Sequence, residues 1–185
     1  MRFIYYIILI IGLIGSSCAH NSESKNALEM ELRAFKEHKI SLPSNLIAKK
    51  RGKQPVSDST LLNRPLKMII YVDPKDCTDC KLLALMPYHM FILENATNTN
   101  FGVIFILHTP NMEEAEVILK EINFPHTVFY DLNGDFERLN PHLPQDDVFH
   151  TFLMNESNDV LLVGNPTHNE ALKELYLKAI KYVDE

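Results

Sequence analysis

Residues 66–81 read Leu66-Lys67-Met68-Ile69-Ile70-Tyr71-Val72-Asp73-Pro74-Lys75-Asp76-Cys77-Thr78-Asp79-Cys80-Lys81. Met68 to Val72 is an apolar run of strand length, and Asp73-Pro74 ends it in a turn. Beyond the turn, Leu82, Leu83, Met86 and Met90 form the apolar set of an expected helix. A strand, a turn and a helix therefore follow in order, with Cys77 at the start of the helix and Cys80 one turn along. Pro87 falls inside this helix and is expected to kink it, since it lacks an amide hydrogen and crowds the preceding turn.

The same alternation continues downstream. Phe101 to Leu107 reads as a second buried strand, and Asn111 caps a helix with Glu113 and Glu114 in its first turn and Val117, Ile118 and Ile122 on its buried side. Thr127 to Tyr130 reads as a third strand. Thr151 to Met154 and Val160 to Val163, joined by the turn-rich Asn155-Glu156-Ser157-Asn158-Asp159, read as an antiparallel hairpin. A final helix sets Leu172, Leu175, Tyr176, Ala179, Ile180 and Val183 on one face. The order is β-α-β-α-β-β-α.

Upstream, Arg2 precedes a nearly unbroken apolar run from Phe3 to Ile14, too short to span a bilayer comfortably but of signal-peptide length. Gly15, Ser16 and Ser17 supply small side chains just ahead of Cys18, and Ile14-Gly15-Ser16-Ser17-Cys18 resembles a bacterial lipobox, with Gly15 where an aliphatic residue is usual. The resemblance implies lipidation of Cys18 after cleavage; an ordinary signal peptide with Cys18 incidental is the other reading. His20 to Asn26 is polar, as a tether would be. Asn26 then caps a helix running to about Lys39, with Leu28, Leu32 and Phe35 as an apolar stripe that packs on the main domain. Lys49, Lys50, Arg51 and Lys53 are read as a solvated basic loop, with a contact to anionic lipid as the other reading. The expected division is 1–17 signal peptide, 18–63 lipidated N-terminus, tether and helical extension, and 64–185 main domain.

A Cys-x-x-Cys between the first strand and first helix of this order resembles the thioredoxin fold. Thr151-Phe152-Leu153-Met154-Asn155 followed by Asp159-Val160-Leu161-Leu162-Val163-Gly164-Asn165-Pro166 is similar to the penultimate hairpin of TlpA-like exported thiol-disulfide oxidoreductases. The resemblance covers residues 64 to 183. It implies an α/β, thioredoxin-like fold, a central mixed sheet flanked by helices with an N-terminal helical extension, and an exported thiol-disulfide oxidoreductase. In that chemistry an exposed thiolate attacks and a nearby thiol resolves. Free N–H groups and the dipole at a helix start favour thiolate at Cys77, making it the nucleophile and Cys80 the more buried resolver. Asp76 and Asp79 bring negative charge beside the thiolate, which raises a thiol pKa and favours a reducing couple. Relatives carry a cis-proline just before the position of His150-Thr151. Here Phe149 stands there, so a trans bond is expected, and Phe149 and His150 are the substrate-facing candidates. Pro141 and Pro144 lie too early to replace it.

Two further readings stay open. Cys77 and Cys80 could hold a metal with a histidine, although His89, His108, His126, His142 and His150 show no paired ligand spacing; no metal and no cofactor are expected. Alternatively the pair forms a structural disulfide in a binding lipoprotein without redox turnover. With Cys18 lipidated, these are the two cysteines left of three. Hydrophobic residues at 46% and charged residues at 23% indicate one globular core rather than disorder. A formal net charge of −6 disfavours nucleic acid. Expected partners are protein thiols or disulfides, an unidentified electron donor, and a membrane through the lipid anchor. The expected location is the cell envelope, as an outer-membrane-anchored lipoprotein facing the periplasm or the cell surface.

Overall fold

A computed structural model describes residues 24–50, 59–73, 78–95 and 97–183. The leader, Cys18, Arg51, Lys53, Asp76 and Cys77 lie outside them. The first helix, α1, is described over 24–37, followed by β1 (Ile47–Lys50), α2 (Ser59–Leu62) and β2 (Leu66–Val72). Next come α3 (Thr78–Leu83), α4 (Pro87–Glu94), β3 (Phe101–His108) and α5 (Met112–Glu121). The chain then forms β4 (Thr127–Asp131), α6 (Asp135–Leu139), a 3₁₀ turn (Asp147–Phe149), β5 (Thr151–Met154), β6 (Val160–Val163) and α7 (Glu170–Tyr182).

The strands make one six-stranded mixed sheet in the order β1-β4-β3-β2-β5-β6. β2, β3 and β4 are parallel, with Ile70 opposite Phe105 and Phe105 opposite Val128. β5 runs antiparallel to β2, with Ile70 opposite Thr151. All seven residues of β2 are buried, as a parallel strand covered on both faces requires. Side chains alternate between the faces. Met68, Ile70, Val72 and Phe105 pack with Leu82, Tyr88 and Phe91 of α3 and α4, Leu119 of α5 and Tyr176 of α7. Ile69, Tyr71, Ile104 and Phe152 pack on the other side with Phe35 of α1 and Phe136 of α6. Each buried large apolar side chain contributes roughly 1.5–3 kcal/mol.

The N-terminal helix packs on the domain as expected. Phe35 meets Phe152 edge-on with ring centroids 5.1 Å apart. Asn140 clamps the chain that follows, accepting from the Ser41 amide at 2.8 Å and donating to the Ser41 carbonyl at 2.9 Å. Asn26 is not a cap; the chain is already helical at residue 24. Leu28, at the far end of the helix, is exposed.

Other expectations need correcting. Lys49 and Lys50 belong to β1, which covers the outer edge of β4, rather than to a solvated loop. Lys49 reaches Glu116 at 2.6 Å. The helix after the cysteines breaks at residues 84–86, and Pro87 opens α4, where its missing N–H costs nothing. The expected kink takes the form of an irregular turn, bridged by hydrogen bonds from the Leu85 and Met86 amides to the Leu82 and Leu83 carbonyls. It also changes the buried face: Leu83 and Met90 are exposed, while Leu82, Leu85, Tyr88 and Phe91 face the sheet. Val117 and Leu175 are exposed as well, with Ala115 and Leu119 buried in α5 and Tyr176 and Ile180 in α7. Asn111 does cap α5, accepting from the Glu114 amide. Among the described residues no helix is long and apolar enough to cross a membrane.

Candidate functional site

β2 ends at Val72, and the next residue, Asp73, carries a buried carboxylate. The chain re-enters the described structure at Thr78, the first residue of α3, so Cys80 is the third helical residue, and it is exposed. Whether it is the more buried of the pair depends on Cys77, which lies outside the described residues together with Asp76. The backbone of Asp79 lies in α3 between Thr78 and Cys80.

The charged groups behind Cys80 are specific. Lys81 donates from Nζ to Asp73 Oδ1 at 2.6 Å and lies 3.2 Å from Asp147 Oδ2. The Asp73 side chain is only 2% exposed and that of Lys81 15%. A carboxylate at that depth is tolerable because an ammonium shares its environment. His150, also buried, points Nδ1 at Asp73 Oδ2 from 3.7 Å, beyond hydrogen-bond reach. Its Nε2 lies 2.8 Å from the Pro144 carbonyl, which can only accept, so Nε2 carries a hydrogen. The His150 carbonyl in turn accepts from the Tyr71 amide at 2.9 Å, extending the β2–β5 ladder. This ladder sets His150 beside the strand end that leads into the cysteine segment.

Phe149 ends the 3₁₀ turn and is half-buried, and the peptide bonds of the described residues are all trans, including that between Phe149 and His150. Thr151 follows, its hydroxyl 2.7 Å from the Tyr88 hydroxyl. Burial pushes the Tyr88 phenol up to about 12, with the Thr151 bond acting in the opposite sense. Burial also raises Tyr71 far above the ordinary phenol range, and the carboxylates of Glu137, Asp73 and Asp131 add to it. Both phenols stay neutral and serve as hydrogen-bonding groups. A cleft of about 240 Å³ opens here, walled by Tyr71, Ala84, Tyr88 and Val148, with Lys81 and Asp147 at its charged side. Lys81 and Ala84 stand one and four residues past Cys80, so the cleft adjoins the cysteine-bearing helix.

Sequence reasoning singled out Cys77, Cys80, Asp76, Asp79, Phe149 and His150 but took Asp73 only as a turn residue and passed over Lys81 and Asp147. A signal was present: an aspartate closing an apolar strand, followed eight residues later by a lysine on the next helix. The remaining histidines are dispersed. His89 Nδ1 lies 3.0 Å from His126 Nε2, His108 is near the Tyr71 hydroxyl, and His142 stacks on His38. Among the described residues no three potential ligands cluster as a metal site would need.

No protein-family model matches the chain, and no curated protein sequence does. Solved structures do. A protein provisionally described as thiol:disulfide interchange protein DsbE from Chlorobium tepidum is 19% identical, covering 77% of this chain and 98% of that one, with a TM-score of 0.53. A protein provisionally described as a protein disulfide isomerase from Bacteroides thetaiotaomicron is 16% identical over 80% of this chain and 89% of its own, with a TM-score of 0.55. The C-terminal domain of a protein provisionally described as a thiol-disulfide oxidoreductase from the same organism is 11% identical over 80% and 99%, with a TM-score of 0.57. The fold of this chain is thioredoxin-like, a central mixed sheet flanked by helices.

Proposed function

We propose that the chain is an exported, lipid-anchored thiol-disulfide oxidoreductase that works as a reductant through Cys77 and Cys80. The observation that carries this reading is the exposed Cys80 in the first turn of the helix that follows the central strand of a thioredoxin-like fold, next in sequence to the Lys81 that pairs with the buried Asp73 and beside an open cleft. The neighbours' descriptions as disulfide-exchange proteins support it. The Cys77 thiolate attacks a client disulfide, forming a mixed disulfide and expelling one client thiolate. Cys80, losing its proton, then attacks Cys77 and expels the second. Two electrons pass to the client, which takes up two protons, and the chain is left with a Cys77–Cys80 disulfide. An unidentified electron donor restores the dithiol. Asp76 and Asp79 disfavour the thiolate and keep the pair reducing. Phe149 faces the client across the cysteine pair, while His150, buried beside Asp73, positions the strand end behind it. Cys18 carries the lipid, tethering the domain to the cell envelope, facing the periplasm or the cell surface.

Exchange with glutathione on the native protein tests the reading. Cys77→Ser should abolish attack on a disulfide, whereas Cys80→Ser should retain attack and accumulate mixed disulfide. The trans bond at Phe149, where relatives have a cis-proline, favours a second reading, a binding lipoprotein with a structural disulfide. A native pair inert to glutathione and dithiothreitol decides for that one. Mass spectrometry of the mature N-terminus tests the anchor; an unmodified terminus at another residue removes it.

A further inference from the structure

A second cleft, of about 320 Å³, lies at the other end of the sheet, where β2, β3 and β4 begin. Its charged lining is cationic, from Lys50 and Arg64, and among the described residues no carboxylate lines it. Among the described residues neither cation is paired with an acidic residue, whereas Lys49, Lys81, Arg138 and Lys173 each are.

Arg64 is held in place rather than loosely displayed. Its carbonyl accepts from the buried Lys67 ammonium at 3.1 Å, and its stem lies over Gly102. A Cβ at residue 102 would come 2.9 Å from Arg64 Cγ and 3.3 Å from the Leu61 carbonyl oxygen. The backbone of Gly102 is not in the left-handed region, so glycine is needed there for space. Arg64 Nε is nevertheless buried with no hydrogen-bond acceptor among the described residues. An oriented, desolvated donor without an acceptor is costly unless a ligand supplies one. His126 forms a further wall, its pKa lowered to about 4 chiefly by burial, then by His89 and Lys50. It stays a neutral imidazole able to hydrogen-bond, and it shares the cleft lining with Lys50. Ile92 and Phe101 add apolar surface, with Asn95, Asn98 and Thr127 also on the lining.

We propose that this cleft binds a phosphate group carried on a small organic body, with the Arg64 guanidinium and the Lys50 ammonium on the phosphate oxygens and Ile92 and Phe101 against the organic part. Guanidinium and ammonium donors on an anionic oxygen are the strong class of hydrogen bond. The phosphate can come from a soluble phosphate ester or from the headgroup of an anionic lipid, and the chemistry at the protein is shared.

The test is calorimetric titration of the full chain in a non-ionic detergent with sn-glycerol 3-phosphate, with glycerol, and with dihexanoyl phosphatidylglycerol. The Cε1–H resonance of His126, assigned by its loss in His126→Gln, serves as the local reporter. Saturable binding of a phosphate probe, a moving His126 resonance and no binding of glycerol are expected. Lys50→Gln and Arg64→Gln should each weaken binding about tenfold. Lys50 is exposed on an edge strand, so its variant tests the site independently of the packing around Arg64. Tighter binding of phosphatidylglycerol assigns the lipid as source, and tighter binding of glycerol 3-phosphate assigns a soluble ester; either supports the site. Absence of saturable binding of both phosphate probes, or equal binding by parent and Lys50→Gln, Arg64→Gln double variant, overturns it.

Discussion

Lys81→Met tests the charge pair formed by Asp73 and the residue after Cys80. The substitution keeps the unbranched stem and removes the ammonium 2.6 Å from Asp73 Oδ1. Asp73, whose side chain is 2% exposed, then keeps its charge in a poorly hydrated site. Breaking a buried pair in this way costs about 3–5 kcal/mol. Because Lys81 is 15% exposed and also faces the half-exposed Asp147, solvent softens the loss to about 3 kcal/mol. For a chain of this size that is a fall in melting temperature of about 6–12 °C at pH 7. Asp73→Asn should cost only about 1 kcal/mol, since its amide oxygen still accepts from Lys81 and Lys81 retains Asp147. The double variant should recover most of the Lys81→Met deficit, because no buried charge is left unneutralised. Thermal unfolding followed by circular dichroism measures all three variants. A Lys81→Met protein within about 0.5 kcal/mol of the parent, or a double variant as unstable as Lys81→Met, refutes the reasoning.

Asp76→Asn with Asp79→Asn should lower the Cys77 thiol pKa by on the order of one unit and move the couple toward oxidising values, read by thiolate absorbance against pH and glutathione equilibria. His126, held neutral to about 4 by burial, must stay unprotonated in the fold while an unfolded histidine takes up a proton near 6.5. Its contribution to stability is thus complete above about pH 6.5 and lost as pH falls toward 4, on the order of 1–2 kcal/mol after solvent screening of a half-buried ring. His126→Gln should flatten the pH dependence of the denaturation midpoint across that interval. Phe35→Ala should cost about 3–4 kcal/mol, measured by urea unfolding, because its fully buried ring fills the sheet face against Phe152. A loss below 1 kcal/mol would mean that α1 adds little to the core.

The central strand, the parallel strands beside it and the closing hairpin were legible in the chain because each is a short apolar run bounded by turn residues. Burial on both faces leaves little choice of composition. The Cys-x-x-Cys spacing and its place after the first of these strands were equally local, and so was Phe149 ahead of His150. Edge strand β1 was not legible: Ile47-Ala48-Lys49-Lys50 has the charge of a loop and becomes a strand only because the outer edge of β4 offers hydrogen bonds and Glu116 takes the Lys49 ammonium. The faces of α3 and α4 were misread because the turn before Pro87 is tightened by hydrogen bonds three residues apart, so the buried positions recur every three residues, and a periodicity argument assumes one regular α-helix. What tertiary structure alone decided is the company each charge keeps. Asp73, Lys81, Asp147 and His150 are spread along the chain and meet because β5 pairs with β2 and the 3₁₀ turn carries Asp147 over α3. Lys50 and Arg64 line one cleft because parallel strands begin at the same end of the sheet. Local propensity acts over a few residues and is written in the sequence, whereas desolvation and ion pairing depend on distances that exist only after strands from remote parts of the chain have paired.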